Sequence, residues 1–509
     1  MRALVLFAAT LVASGADLLS WSRERNTVRL RLESGAAEIE WLSTSTFRAA
    51  RCASAPCTAK TWSNESIDFK IAETPEALQL ATRYVRLEVT KAGALLHTTN
   101  ARGRTLYREI SPSRWAVVPG ERLFGLGIRP VAALDLRGQL VPASIPLLVS
   151  SEGFGLFFTT PERPVLDLAK SNTAEAALTG AVSPVEFFCY YGPSLKEVLE
   201  EHLKVREWSD GILPQHVGIM TENTLPEFAT PMPGGANLVA RIQHAAFSGI
   251  LAPAVDLSTW SGPEELAVWM PLLVATRADE RTERIARSRR RWAPYLWTYL
   301  LEARDRGFPV IRPLAMQYYG DRETSAHTAD FALGDELIVS PGASARRVYL
   351  PMGRWTEWED DVEYAGKKIV EIGKERPVLF ARNGSVVPVG AFGSDAPMEL
   401  HYFPKLAAEF FLYEPDNGLT SQFHAAPAGD WMRLEIEPKV RRGYEWVAHH
   451  MTPVTMVMIG ETALRPAASR AALKDLTWFY DSGARRLHVR LPASGTDVVV
   501  NVAFESPPW

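Results

Sequence analysis

Two long regions of short, turn-punctuated strands flank one region with helical spacing, and that order restricts the chain to layered, multidomain architectures. Val28-Arg-Leu-Arg-Leu32 alternates apolar and charged residues with the period of a half-buried strand, and Gly153-Phe-Gly-Leu-Phe-Phe-Thr-Thr-Pro161 sets an apolar strand behind a glycine turn. Continued from Asp17 to about Glu200, the pattern predicts an antiparallel β-sandwich. Gly192-Pro-Ser-Leu-Lys-Glu-Val-Leu-Glu-Glu-His-Leu203 then reads as an amphipathic helix, with Ser194 as N-cap and Glu197 completing a capping box. Farther on, the stretch from Arg291 to Arg306 carries aromatic and aliphatic residues at helical spacing. Gly307 closes it, and a short buried strand is expected from Phe308 to Ile311, which makes one αβ step. The carboxyl-terminal part is β-rich again.

At 509 residues and 47% hydrophobic, the chain can bury several cores, so three or four domains are expected. A net charge of −4 gives no basic surface for nucleic acid; the local run Arg287, Arg289, Arg290 and Arg291 reads as a solvated helix face. Arg2 and the apolar run Ala3 to Ala13, ending in Ser14-Gly15-Ala16, read as an export signal over residues 1–16. No later run approaches the roughly 20 apolar residues of a membrane helix, so a periplasmic or extracellular protein without a membrane span is expected. Cys52 and Cys57 are near enough in sequence to bond in an oxidising compartment, and Cys189 reads as a buried thiol. No cysteine or histidine spacing completes a metal site, and no cofactor is implied.

Several stretches resemble glycoside hydrolase family 31, the α-glucosidases and α-xylosidases. Glu121-Arg-Leu-Phe-Gly-Leu-Gly127 and Ile145-Pro-Leu-Leu-Val-Ser-Ser-Glu-Gly-Phe-Gly155 are similar to parts of its amino-terminal sandwich. The helix and strand from Arg291 to Leu314, with Gly334-Asp-Glu-Leu-Ile-Val-Ser-Pro341, resemble the exit of its catalytic barrel. Val348-Tyr-Leu-Pro-Met-Gly-Arg-Trp355 and Pro377-Val-Leu-Phe-Ala-Arg-Asn-Gly-Ser-Val-Val-Pro388 resemble its proximal carboxyl-terminal sandwich. Phe410-Phe-Leu-Tyr-Glu-Pro-Asp-Asn-Gly-Leu-Thr420 resembles the distal one and suits a tight hairpin turn.

The resemblance implies an amino-terminal, galactose-mutarotase-like sandwich over 17–200 and a reduced, incomplete TIM-barrel-like α/β segment over 201–325. Two carboxyl-terminal β-sandwich domains over 326–392 and 393–509 follow. Ile212 to Met220 resembles the first barrel strand and Phe247 to Trp260 the seventh, yet only about 40 positions separate Pro214 from Asp256. At about 30 residues per βα unit, five further strands do not fit, so strands two to six are expected to be missing. A retaining glycosidase needs two carboxyl groups about 5 to 5.5 Å apart. The stretches that supply them in the family are not found, and Glu222 in Thr221-Glu-Asn-Thr is only a weak substitute.

Three residues remain as sugar ligands by resemblance: Asp256 at a strand end, Trp260 as a stacking ring, and Asp135 on a sandwich loop. His244 is expected on a helix surface, and Arg277 is all that remains of a further family sugar-contact stretch. The expected function is binding of, or action on, α-linked carbohydrate with impaired catalysis. The alternatives are a non-catalytic interaction scaffold and an active hydrolase with relocated carboxylates.

Overall fold

Strand alternation in the first third of the chain is realised as a two-sheet sandwich. In Thr27–Leu32, Val28, Leu30 and Leu32 are buried while their neighbours are more open, the pattern of a strand with one face on a core. The computed structural model describes residues 16–57, 62, 65–159, 163–179, 185–205, 217–220 and 229–509. The expected export signal, apart from Ala16, lies outside the described residues, as do Pro214 and Glu222. The chain divides into two compact units.

The first unit holds an eight-stranded and a nine-stranded antiparallel sheet around a core that includes Trp41, Phe47, Trp115 and Leu156. Helix α1 (Leu195–Val205) follows. Its expected capping box is present: the Ser194 N–H donates to Glu197 Oε2 at 2.7 Å, and the Glu197 N–H reaches Ser194 Oγ at 3.5 Å. Cys52 and Cys57 are bonded, and burial pushes the Cys189 thiol up.

The second unit begins with a four-stranded parallel sheet in the order Ile219–Met220, Leu272–Val274, Pro253–Asp256, Thr230–Pro233. Neither the last of these strands nor Leu272–Val274 was among those read from sequence. Pro231 and Pro233 break the usual strand pattern, yet they suit an outer position. Alternate residues face alternate neighbours, and proline has no N–H to offer on the outer side. Helices α2 (Leu238–Phe247), α3 (Glu264–Val268), α4 (Glu280–Arg290) and α5 (Ala293–Arg306) accompany the sheet. Helix α4 starts on a capping box between Asp279 and Thr282, and α5 ends on Gly307 at φ 71°, the left-handed cap that glycine adopts freely.

The αβ step expected after α5 is corrected. The strand forms at Ile311–Pro313 and pairs antiparallel with Phe331–Leu333, inside a six-stranded sheet that runs on through the carboxyl-terminal region. That sheet and the pair Arg346–Leu350 and Lys368–Ile372 enclose Ile338, Val348, Trp355 and Phe380. Two further six-stranded sheets complete the chain. Ser385–Val389 pairs with Met398–Phe403 in one of them, so this strand belongs with the last sandwich although it precedes residue 392.

Two other readings are overturned. His244 is 1% exposed, not on a helix surface, and its Nε2 lies 3.1 Å from the Val131 carbonyl. Within the arginine run, Arg287, Arg290 and Arg291 are exposed, but Arg289 is fully enclosed.

Candidate functional site

In parallel α/β sheets the carboxyl ends of the strands form the crevice where ligands collect. Asp256 is the last residue of Pro253–Asp256 and is half-buried. Its carboxylate is already engaged locally. Oδ1 accepts the Ser258 N–H at 2.8 Å, and Oδ2 accepts the hydroxyls of Ser258 at 2.7 Å and Thr259 at 3.4 Å. Asp256 thereby caps the single 3₁₀ turn Leu257–Thr259. A carboxylate oxygen accepts two hydrogen bonds, so Oδ1 keeps one position for an incoming hydroxyl.

The loop is braced from the neighbouring strand end. The Gly234 N–H donates to Thr259 Oγ1 at 2.7 Å, and a Cβ at Gly234 would meet the Asp256 carbonyl at 2.5 Å and Trp260 Cα at 3.0 Å. Only glycine permits that approach. Trp260 is 5% exposed, and its Nε1 donates to the Gly262 carbonyl at 2.6 Å. Arg281 bonds the Trp260 carbonyl at 3.2 Å. The expected stacking ring is thus turned into the fold, and an indole so enclosed offers no open face to a pyranose.

Asp135 lies in the first unit, Asp256 and Trp260 in the second. Its Oδ1 accepts the N–H groups of Leu123 at 3.1 Å and Arg137 at 3.0 Å, an arrangement that orders its own turn. Arg277 is exposed, and Asp279 is committed to capping α4. Among the four described strands of this parallel sheet, Asp256 is the one carboxylate at a carboxyl end.

The opposite end of the same sheet holds a feature that the sequence concealed. Arg289 of α4 donates to the carbonyls of Val217, Val268, Met270 and Pro271, which lie just before the adjacent strands Ile219–Met220 and Leu272–Val274. Burial without a carboxylate partner pushes this guanidinium down to about 9. Its planar fork satisfies several carbonyls at once, so it serves as a clamp on the strand starts, not as a ligand group.

The model for the Glycosyl hydrolase family 31 C-terminal domain matches residues 307–387. Alpha-glucosidase 2 of Bacillus thermoamyloliquefaciens is 30% identical over 175 residues, 31% of this chain and 22% of the relative. An alpha-glucosidase of Saccharolobus solfataricus is 30% identical over 122 residues, 23% of this chain and 18% of the relative. Over residues 307–387 the chain matches glycoside hydrolase family 31. The matched stretches span only about a fifth of either relative's length.

At the level of fold, the chain resembles the Flavobacterium johnsoniae family 31 dextranase, solved with glucose, at a TM-score of 0.81 and 14% identity. The match covers 96% of this chain and 99% of that one. The cycloalternan-forming enzyme of Listeria monocytogenes, solved with a pentasaccharide substrate, gives 0.82 at 11% identity, covering 96% and 77%.

Proposed function

We propose that this chain binds α-linked carbohydrate at the carboxyl ends of its parallel strands and does not cleave it. The observation that carries the reading is Asp256, the one carboxylate at a carboxyl end among the described strands of the parallel sheet, where retaining hydrolysis needs a pair. We read the four-stranded sheet as a reduced barrel whose catalytic strands are missing. The carbohydrate class is supported by relatives named as α-glucosidases and by neighbours solved with glucose, isomaltotriose and a pentasaccharide.

With one open acceptor position on Asp256 and the Trp260 ring enclosed, affinity rests on few contacts. Each hydrogen bond exchanged with water contributes about 0.5 to 1.5 kcal/mol, so millimolar or weaker binding is expected. The test pairs release of nitrophenol from aryl α-glucoside and α-xyloside with thermal shift against glucose, xylose and isomaltotriose. A melting shift without turnover supports the reading. Turnover above the buffer rate that disappears in Glu222→Gln would support relocated chemistry instead.

Export is part of the same proposal. The bonded Cys52–Cys57 pair supports it, since disulfides persist in oxidising compartments. A mature mass beginning near Asp17 is expected in the periplasmic or secreted fraction; an intact Met1 start there would count against it.

A further inference from the structure

A second concavity, which Asp256 does not line, opens between helices α3 and α4 of the second unit. It encloses about 390 Å³, within the range of small-molecule sites. Its apolar side is Val268, Trp269, Ile285 and Trp292. The two indoles meet edge to face with centroids 6.3 Å apart, and Trp292 is half-buried and backed by Trp358 at 5.2 Å. An aromatic ring held in this way gives up little side-chain freedom when a ligand lands on it.

The polar side comes from facing helices, Glu264 and Glu265 on α3 and Arg284, Arg287 and Ser288 on α4. Glu264 is fixed by a two-pronged pair with Arg284 at 3.2 and 2.9 Å, and that hydrogen bonding holds its carboxyl below the usual range. Glu265, Arg287 and Ser288 are exposed and have no side-chain partner among the described residues. The cleft therefore presents an unused carboxylate, guanidinium and hydroxyl beside an aromatic wall.

Charge decides the ligand class. Two carboxylates face two guanidiniums, so neither an anion nor a cation is favoured, and phosphorylated ligands gain nothing. A neutral ring with an apolar face and a rim of hydroxyls matches both sides: the face meets indole, acceptors come from glutamate, and donors come from arginine. We propose that this cleft is a carbohydrate-binding site separate from the strand-end crevice. In it a neutral pyranose lies against Trp292, and Glu265, Arg287 and Ser288 contact its hydroxyls. The site shares its ligand class with the proposed function but stands on its own lining.

The experiment is titration calorimetry of the full chain with isomaltotriose and maltotriose, with glucose 6-phosphate as charged control. Wild type is compared with Glu265→Ala/Arg287→Ala, Trp292→Phe and Asp256→Ala. The exposed pair should melt as wild type does, which removes misfolding as an explanation. The expected result is a trisaccharide Kd raised at least tenfold by the exposed pair and by Trp292→Phe, yet retained in Asp256→Ala. Binding that is lost in Asp256→Ala and unchanged in the exposed pair would overturn the cleft and leave the strand-end reading standing. Glucose 6-phosphate binding more tightly than the neutral sugars would overturn it as well, by making the cleft an anion site. If no sugar binds any form of the protein, both readings fall.

Discussion

Replacing Glu336 with glutamine should remove a specific pH dependence of stability. Glu336 is buried between Tyr295 and Tyr299 of α5, whose hydroxyls donate to its Oε2 at 2.9 and 2.5 Å. Burial raises its carboxyl from 4.5 to about 7, with the adjacent Asp335 adding to the rise and the tyrosine hydrogen bonds opposing it. A group raised in the folded state supports folding below its unfolded value, and that support is lost as pH climbs to the folded one. Between pH 4.5 and 7 the folded protein therefore loses about 3 kcal/mol, at ~1.4 kcal/mol per pH unit. Glutamine keeps the size and one acceptor but cannot ionise. Any constant offset from the altered hydrogen bonds cancels when the two proteins are compared across pH. At about 2 °C per kcal/mol for a large domain, the melting difference between wild type and Glu336→Gln should shift by about 6 °C over that window and then stay level. Differential scanning fluorimetry in a pH series measures it. A difference that stays flat from pH 4.5 to 8 would refute the assignment of a buried Glu336 that holds its proton up to about pH 7.

Other expectations concern the clamp, the histidine pair and the crevice. Arg289→Lys should destabilise by about 3 kcal/mol or more, read as a lowered urea midpoint, because an ammonium cannot reproduce the planar fork that serves four carbonyls; an unchanged midpoint would show that the clamp is dispensable. His449 is buried, with Nδ1 2.7 Å from Asp361 and Nε2 3.0 Å from His401, and burial pushes it down to about 4. Since the unfolded chain takes up that proton near pH 6.5, stability should fall by about 3 kcal/mol as pH drops from 6.5 to 4. A His449→Gln variant whose acid unfolding curve is as steep as wild type would contradict this. Asp256→Ala removes the cap of the Leu257–Thr259 turn and should cost about 1 kcal/mol, a small melting decrease without ligand. A loss of several kcal/mol would mark Asp256 as a structural acceptor and favour an interaction scaffold.

What the sequence disclosed depended on how local the cause was. Strand alternation at Val28 to Leu32, the capping box at Ser194 and Glu197, and the Gly307 cap are set by neighbours within a few residues, and all three formed as expected. The strand Thr230–Pro233 was hidden because two prolines mimic a loop unless its position at the end of the sheet order is known. Arg289 was hidden because its four carbonyl partners lie 18 to 72 residues away, and nothing in an arginine-rich helix marks one member as buried. For the site, Asp256 does end a parallel strand. The inward turn of Trp260 follows from its bond to Gly262 and the close packing against Gly234, contacts that no spacing rule anticipates. The cleft between α3 and α4 draws its lining from Glu264 to Trp292, and only the folded arrangement brings the two indoles together.

The central claim is a sugar-binding family 31 fold without the carboxylate pair for cleavage, and the most direct measurement is a single incubation read two ways. Purified protein is held with isomaltotriose while its melting temperature is followed, and the same solution is assayed for released glucose. The account predicts a melting temperature that rises with sugar concentration and glucose that stays at the level of the protein-free control. Glucose accumulating in proportion to protein, and stopping when a carboxylate is replaced, would contradict it.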